Sequence, residues 1–166
     1  MNSIITAVIA SLLVCGCTSV LSSGILREAD ASIAFPDLQK DPGQYHGAVV
    51  VLGGQILEVV VKERETRVQV LQLPLGAGQR PDNRAPSQGR FLVVYERFAD
   101  PLIYEKGRKI TVAGVVEGDQ AIMLHDRPYP MPVLLERETY LWKTEEYPAY
   151  APGPAVQFGI GVGGSR

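Results

Sequence analysis

The N-terminal segment constrains this chain most, because it decides how much of the sequence is left to fold. Residues Ile4–Val14 are apolar apart from one Thr and one Ser, and a run of this length is typical of the hydrophobic region of a signal peptide. A permanent membrane helix needs about 20 apolar residues, so this run is too short to form one. Cys15, Gly16 and Cys17 follow, and the sequence then turns polar. We predict that residues 1–16 are a signal peptide that is removed.

The residues around Cys17 resemble the bacterial lipobox, in which a cysteine after a small residue is lipidated and the signal is cut before it. Cys17 follows Gly16, whereas Cys15 follows the branched Val14, so Cys17 is the predicted lipidation site. Each buried methylene of an acyl chain contributes about 0.8 kcal/mol, so several chains would form a durable anchor. Thr18, and not Asp, follows the cysteine, which resembles the default routing of such lipoproteins to the outer membrane. We expect the anchor to lie in its periplasm-facing leaflet. The alternative is a cleaved signal of a secreted protein, or a short anchor.

The composition is that of a globular protein, with 46% apolar and 20% charged residues. Removal of residues 1–16 from the 166-residue chain leaves 150 residues, enough for one domain with a core. Both cysteines lie in the processing site, so the mature protein has no internal disulfide and depends on burial. The net charge of −2 argues against a nucleic-acid surface, which needs clustered Lys and Arg. No second apolar run is long enough to span a membrane, so we expect an anchored protein.

From Val49 onwards the chain consists largely of segments rich in Val, Ile and Thr, and such segments predict strands. The predicted strands cover residues 49–61, 66–75, 90–95, 110–116, 121–124 and 133–142. About six short strands without a long helix predict an all-β fold, as a small antiparallel barrel or sandwich.

Three irregularities are expected within these strands. The Gly53-Gly54 pair suggests a bulge or a sharp bend in the first strand. The apolar alternation slips between Val70 and Leu71, which suggests a second bulge, because a period of two otherwise fixes the buried face. Residues 117–120 have the composition of a tight reversal between two strands.

The segments that flank the strands differ in character. Residues 17–33 are mixed and polar, and predict a partly disordered, lipid-anchored tether, with a brief helix over 25–31 as the competing interpretation. Residues 35–40 predict one helical turn that begins at Pro36. The tail, residues 147–166, is rich in Pro and Gly. Four of its apolar residues alternate with Gly and Gln: Val156, Phe158, Ile160 and Val162. We expect the tail to be either disordered or an added strand on an exposed edge.

Short motifs follow one another in a specific order between residues 12 and 142. After the lipobox they are Asp41-Pro42-Gly43-Gln44-Tyr45-His46-Gly47, Gly53-Gly54-Gln55-Ile56, Leu73-Pro74-Leu75, Pro81-Asp82, Gln88-Gly89-Arg90, Phe98-Ala99-Asp100-Pro101, Thr111-Val112-Ala113-Gly114, Tyr129-Pro130 and Leu141-Trp142. Together they resemble the Slp family of starvation-inducible outer-membrane lipoproteins, and the Gly-rich tail lies outside this resemblance. The resemblance implies a lipid-anchored, OB-like barrel over residues 34–146 at the outer membrane, and it implies no enzymatic activity.

Candidates for catalysis and metal binding are few. His46 and His125 are the only histidines, and no Ser lies in a Gly-x-Ser-x-Gly setting. His125 and Asp126 are adjacent, so on a strand they would point to opposite faces. A zinc site would need carboxylates because no cysteine remains in the fold. The glycines of residues 159–164 lack the strand and helix of a dinucleotide site. We predict no catalytic residue, no metal ligand and no cofactor.

Two surface features remain as candidates for binding. The exposed loop over residues 76–89 and its edge carry three arginines: Arg80, Arg84 and Arg90. They are suited to phosphates of acidic lipid headgroups or lipopolysaccharide, but Asp82 lies among them and a solvated loop is the alternative. Tyr140 and Trp142 share one face of a strand, where they either line a groove or close the core of a barrel.

We therefore predict a lipoprotein of the outer membrane that acts as a non-enzymatic structural or interaction module of the envelope, related to stress or starvation. Its expected partners are the membrane itself, through the lipid on Cys17, and an envelope protein. One alternative is a carrier that binds an apolar or lipid-like ligand inside the barrel. A hydrolase is the third hypothesis.

Overall fold

The structure, a computed structural model, describes residues 19–124 and 126–143 and contains five strands and a few short helices. The elements are α1 (Ser23–Glu28), α2 (Phe35–Lys40), a 3-10 turn (Pro42–Tyr45), β1 (Val49–Val61), β2 (Thr66–Gln72), a second 3-10 turn (Ala77–Gln79), β3 (Arg90–Tyr95), β4 (Lys109–Leu124) and β5 (Arg127–Leu141). The strands close into a barrel in the order β1-β2-β3-β5-β4. The predicted all-β barrel is confirmed, with five strands instead of about six. Its strands are antiparallel except for β3 and β5, which pair in parallel.

Several predictions fall on residues outside this description. They are the signal peptide over residues 1–16, Cys15, the lipidation site Cys17, His125, and the tail over residues 147–166. They stay predictions, as do the domain limits at residues 33 and 146.

Strand β1 changes partner in the middle of its length. Its first half pairs with β4 and its second half with β2, and both ladders include Gly54 and Gln55. The predicted irregularity at the glycine pair is a close approach: a Cβ on Gly54 would lie 2.2 Å from the carbonyl oxygen of Leu71. The bulge itself comes later, at Leu57, where the register with β2 shifts.

The predicted bulge between Val70 and Leu71 is wrong. Strand β2 alternates without interruption between buried and half-buried residues, and Val70 and Leu71 pair with successive residues of β1. The extra residue, Leu57, belongs to β1. Leu71 is apolar but faces outward, so its hydrophobicity alone suggested a change of phase that the backbone does not make.

The predicted reversal at residues 117–120 is also wrong. These residues continue β4, which pairs with β5 as far as Leu124 and Arg127. Gly118 (φ 125°) instead accommodates a shift of register in the ladder between β4 and β5. Strand β5 accordingly begins earlier than expected and includes alternating prolines: Pro128, Pro130 and Pro132. Because these prolines lack an N–H, they suit a strand whose second edge is open, and β3 joins β5 only from Val133 onwards.

Inward-facing side chains from every strand fill the barrel. Five of them, one per strand, are completely buried and belong to a single cluster: Ile56, Val70, Phe91, Ile110 and Leu134. The predicted helical turn at residues 35–40 is confirmed as α2. It packs Phe35 edge-on against Phe91 with ring centroids 6.1 Å apart, so the helix covers part of the same core.

Candidate functional site

A groove lies on the outer side of the barrel between the β1–β2 and β4–β5 hairpins. It encloses about 180 Å³ and is lined by Glu58, Val60, Lys62, Arg67, Gln69, Leu92, Gln120, Ile122 and Met131. The buried Leu92 and Met131 contribute apolar surface from β3 and β5. Val60 in this lining and its neighbours Val61 and Met123 leave 43%, 44% and 68% of their surfaces exposed. These hairpins therefore present apolar surface that the barrel does not cover.

Arg67 links the two hairpins across the groove. Its Nη1 donates to Oε1 of Gln120 at 2.7 Å, and its Nε donates to Oε1 of Glu65 at 2.7 Å. The hydrogen bond from Arg67 lowers the pKa of the Glu65 carboxyl, with a smaller contribution from the charge of Lys62. The described lining contains amides, paired charges and apolar groups but no Ser, Cys or His. Such a mixture of apolar and fixed polar groups is suited to binding.

A second surface combines positive charge with aromatic rings, and we call it the basic–aromatic face. It consists of Arg80, Arg84, Lys109, Tyr140 and Trp142. The three cations line one cavity of about 310 Å³ together with Asp82. The guanidinium of Arg80 lies 5.0 Å from the ring centroid of Trp142, a cation–π distance. The rings of Tyr140 and Trp142 are 4.8 Å apart and nearly perpendicular, so the loop and the end of β5 form one continuous patch.

Asp82 and Arg84 form a two-pronged ion pair inside this patch. Nε and Nη2 of Arg84 donate to the two carboxylate oxygens of Asp82, each at 3.0 Å. These hydrogen bonds lower the pKa of Asp82 to about 2. The carboxylate therefore stays ionised at neutral pH and neutralises one of the three nearby cations.

The segment before α1 is attached to the barrel close to this face. The hydroxyl of Ser19 donates to Oε1 of Gln79 at 2.7 Å. The backbone N–H and the hydroxyl of Ser22 donate to the two carboxylate oxygens of Glu138 at 2.8 and 2.6 Å. Leu21 is buried together with Ile25 of α1 against the outer surface of β1 and β4. The described part of this segment is attached to the barrel, and the competing interpretation of a brief helix is the correct one, although the helix is Ser23–Glu28 instead of residues 25–31.

The structure brings together only some of the residues that the sequence suggested. Arg80 and Arg84 share a cavity, but Arg90 does not line it and begins β3, where its N–H donates to the Tyr129 hydroxyl. Lys109 was missed because only closure of the barrel brings the start of β4 beside this loop. The loop is also less open than expected, since its Pro81 is buried and forms a β-bridge with Leu75, the residue before the loop.

Tyr140 and Trp142 face outward, as their neighbour Leu141 packs against the core. Their predicted common face is confirmed, whereas the interpretation that they close the core is wrong. His46 is exposed. Within residues 19–124 and 126–143, no three His, Cys, Asp or Glu side chains are placed to hold a metal ion. In the same part of the chain, no helix has the length and apolar character needed to traverse a bilayer.

Comparison of the sequence with protein families identifies an outer membrane lipoprotein family. The model of the outer membrane lipoprotein Slp family matches residues 14–160. The match begins before Cys17 and extends into the Pro/Gly-rich tail, so the expectation that the tail lies outside the resemblance is wrong.

Two named relatives come from Escherichia coli strain K12. Outer membrane protein Slp is 29% identical over 103 residues, covering 62% of this chain and 54% of Slp. The uncharacterized lipoprotein YeaY is 26% identical over 147 residues, covering 84% and 76% of the two chains. A protein of Haemophilus influenzae, described only as uncharacterized, is 28% identical over 129 residues, covering 75% and 70%. The chain thus aligns with about half of the length of Slp.

Solved structures resemble the barrel weakly. The mitochondrial single-stranded DNA binding protein Rim1 of S. cerevisiae has a TM-score of 0.38 and 13% identity, covering 58% of this chain and 96% of Rim1. The OBody AM3L09, bound to hen egg-white lysozyme, has a TM-score of 0.36 and 16% identity, covering 59% and 84%. At these scores the likenesses carry no conclusion about what this chain binds.

Proposed function

We propose that this chain, which belongs to the outer membrane lipoprotein Slp family, is held at the outer membrane by a lipid on Cys17 and acts there as a non-enzymatic binding module. The observation that carries the proposal is the family match, which begins at Val14 and therefore includes the predicted lipobox. The name of one relative, an outer membrane protein, supports the location, and the name of another, a lipoprotein, supports the anchor. The barrel would face the periplasm. A link to stress or starvation stays a prediction.

The groove between the hairpins is the proposed binding surface. It offers apolar side chains from Leu92, Ile122 and Met131, with the Arg67–Gln120 pair bridging it. Such a mixture of apolar floor and fixed polar groups favours recognition of a protein segment, which can satisfy both. A partner protein of the envelope is therefore the proposed occupant.

The two alternative hypotheses have less support. A carrier with its ligand inside the barrel would need an interior space, yet each of the five strands contributes at least one completely buried side chain to a single packed cluster. A hydrolase of the Ser, Thr or Cys type would need such a nucleophile beside a base, and the described groove lining has no Ser, Thr or Cys.

The anchor is tested by substitution of the two cysteines separately. Wild type and Cys15→Ala, the matched control, should fractionate with the outer membrane, and mass spectrometry should find a lipid on the first residue, Cys17. Cys17→Ala should lose both the lipid and this fractionation. An unchanged outer-membrane distribution of Cys17→Ala would refute the anchor.

The groove is tested by crosslinking in intact cells. A photoreactive residue at Ile122, in the groove, should give a discrete protein adduct. The control position is Leu102, which is 86% exposed and does not line the groove. The same adducts from both positions, or no adduct from Ile122, would argue against binding in the groove.

A further inference from the structure

We infer that the basic–aromatic face lies against the membrane and that Arg80, Arg84 and Lys109 bind the phosphate groups of anionic phospholipids there. This inference rests on the proposed lipid at Cys17, and it specifies how the barrel sits on the bilayer.

The proposed anchor is separated from the barrel by a very short segment. Ser19 is fixed to Gln79 by its hydroxyl, and Thr18 is the only residue between Ser19 and Cys17. Two residues span at most about 7 Å when fully extended. A lipid at Cys17 would therefore hold the surface around Gln79 next to the headgroups and leave no long tether.

A chain of hydrogen bonds connects this attachment point to the basic–aromatic face. The backbone carbonyl of Gln79 accepts a hydrogen bond from the Thr111 hydroxyl at 2.7 Å. The same hydroxyl accepts a hydrogen bond from Nε1 of Trp142 at 2.9 Å. Arg80 directly follows Gln79 and lies over the Trp142 ring. The position of Ser19 and the position of the face are thus fixed relative to each other by side-chain contacts.

The charge of the face suits an anionic lipid surface. Its cavity brings three cations together with one carboxylate, Asp82, so the local charge is about +2, although the chain as a whole carries −2. Basic side chains within a Debye length of anionic headgroups are attracted to them. Arg84 presents 88% of its side chain to solvent, so it can reach phosphate groups.

The aromatic residues of the face have the properties of interfacial anchors. Tyr140 is 39% exposed, and Trp142 is half-buried beside it. Tyr and Trp are enriched at membrane–water interfaces because their rings are apolar and their polar groups can hydrogen-bond. The proposed binding groove has its floor on β2, β3 and the start of β5, so membrane contact at the basic–aromatic face leaves it accessible.

The chain provides its own probe, because Trp142 is the only tryptophan. Full-length processed protein, purified from membranes, would be reconstituted into vesicles that contain a lipid with a nitroxide on its headgroup. Mass spectrometry of the same preparation reports whether Cys17 is lipidated. We expect the nitroxide to quench Trp142, and to do so about two-fold more strongly when phosphatidylglycerol is present than in phosphatidylcholine alone.

Two double variants of equal charge change test the headgroup contact. Arg84→Gln with Lys109→Gln should abolish the extra quenching caused by phosphatidylglycerol. Arg64→Gln with Arg127→Gln removes two exposed arginines at the hairpin ends and should retain it. Circular dichroism verifies that both variants are folded.

The possible results distinguish a failure of the proposed anchor from a failure of the membrane contact. Protein without lipid on Cys17 would refute the proposed anchor and the inference together. Lipidated protein whose Trp142 is not quenched would refute the membrane contact of this face but leave the anchor intact. Equal quenching in both kinds of vesicle, unchanged by Arg84→Gln with Lys109→Gln, would refute the binding of anionic headgroups.

Discussion

The hydroxyl of Ser19 donates to Oε1 of Gln79 at 2.7 Å, joining two residues 60 positions apart. Gln79 has a positive φ of 62°, which costs a non-glycine residue about 1 kcal/mol. Its side chain and its carbonyl both accept hydrogen bonds, from Ser19 and Thr111, and these contacts offset the strain. The turn at Gln79 is therefore where the segment before α1, the loop and β4 meet.

Thr111→Val should destabilise the fold at the turn that contains Gln79. The substitution keeps the side-chain shape but leaves the Gln79 carbonyl and the Trp142 indole N–H without their partner. Polar groups that are shielded from water and lack a partner are costly, so the free energy of unfolding should fall by about 1–2 kcal/mol. Urea denaturation followed by Trp142 fluorescence measures this change. Ser32→Ala, at an exposed position, is the control and should stay within about 0.5 kcal/mol of wild type. A Thr111→Val protein as stable as that control would contradict the prediction.

Gly54→Ala should be more damaging than its small size suggests. The added Cβ would lie 2.2 Å from the Leu71 carbonyl oxygen and 2.4 Å from a methyl group of Val70, so β1 and β2 would have to separate. We expect a loss of about 3 kcal/mol or failure to fold. Gly24→Ala in α1 is the matched control, since its Cβ meets only an atom at 4.0 Å and alanine favours helix. Thermal unfolding of the two proteins compares them, and equal midpoints would show that the barrel tolerates a side chain at Gly54.

Titration of the Tyr95 hydroxyl should lower the free energy of unfolding at high pH. Burial raises the pKa of the Tyr95 hydroxyl well above its usual 10, and the hydrogen bond with Thr139 opposes this only in part. Because the folded pKa is raised, the contribution is complete below pH 10 and is lost as pH rises further, by about 1.4 kcal/mol per pH unit.

Tyr95→Phe is the variant that isolates this titration. It should lose about 1 kcal/mol at neutral pH, because the hydrogen bond with Thr139 is removed. Between pH 10 and about 12 its unfolding free energy should then decline less steeply than that of wild type. Denaturation at a series of pH values measures the two slopes, and parallel slopes would mean that Tyr95 does not titrate on unfolding.

Local sequence patterns correctly predicted the elements whose own residues show a clear pattern. The β-branched residues of β1 and the apolar run of β3 were correctly placed, as was α2 beginning near Pro36. The reversal at residues 117–120 failed for a physical reason: Gly118 and its polar neighbours suit a turn, but the same positive φ also accommodates a shift of strand register. Pairing with β5 decides between these two uses, and that pairing is not local.

For the candidate surfaces too, the sequence determined some features and the tertiary structure determined the others. The sequence by itself determined the all-β character, the absence of an internal disulfide in the predicted mature chain, and the group of arginines near Asp82. Only the tertiary structure decided that Lys109 joins Arg80 and Arg84, that Tyr140 and Trp142 face outward, and that the predicted tether is packed from Ser19 onwards. The reason is that closing the barrel sets the distances between residues far apart in the chain, whereas periodicity reports only which neighbours share a face.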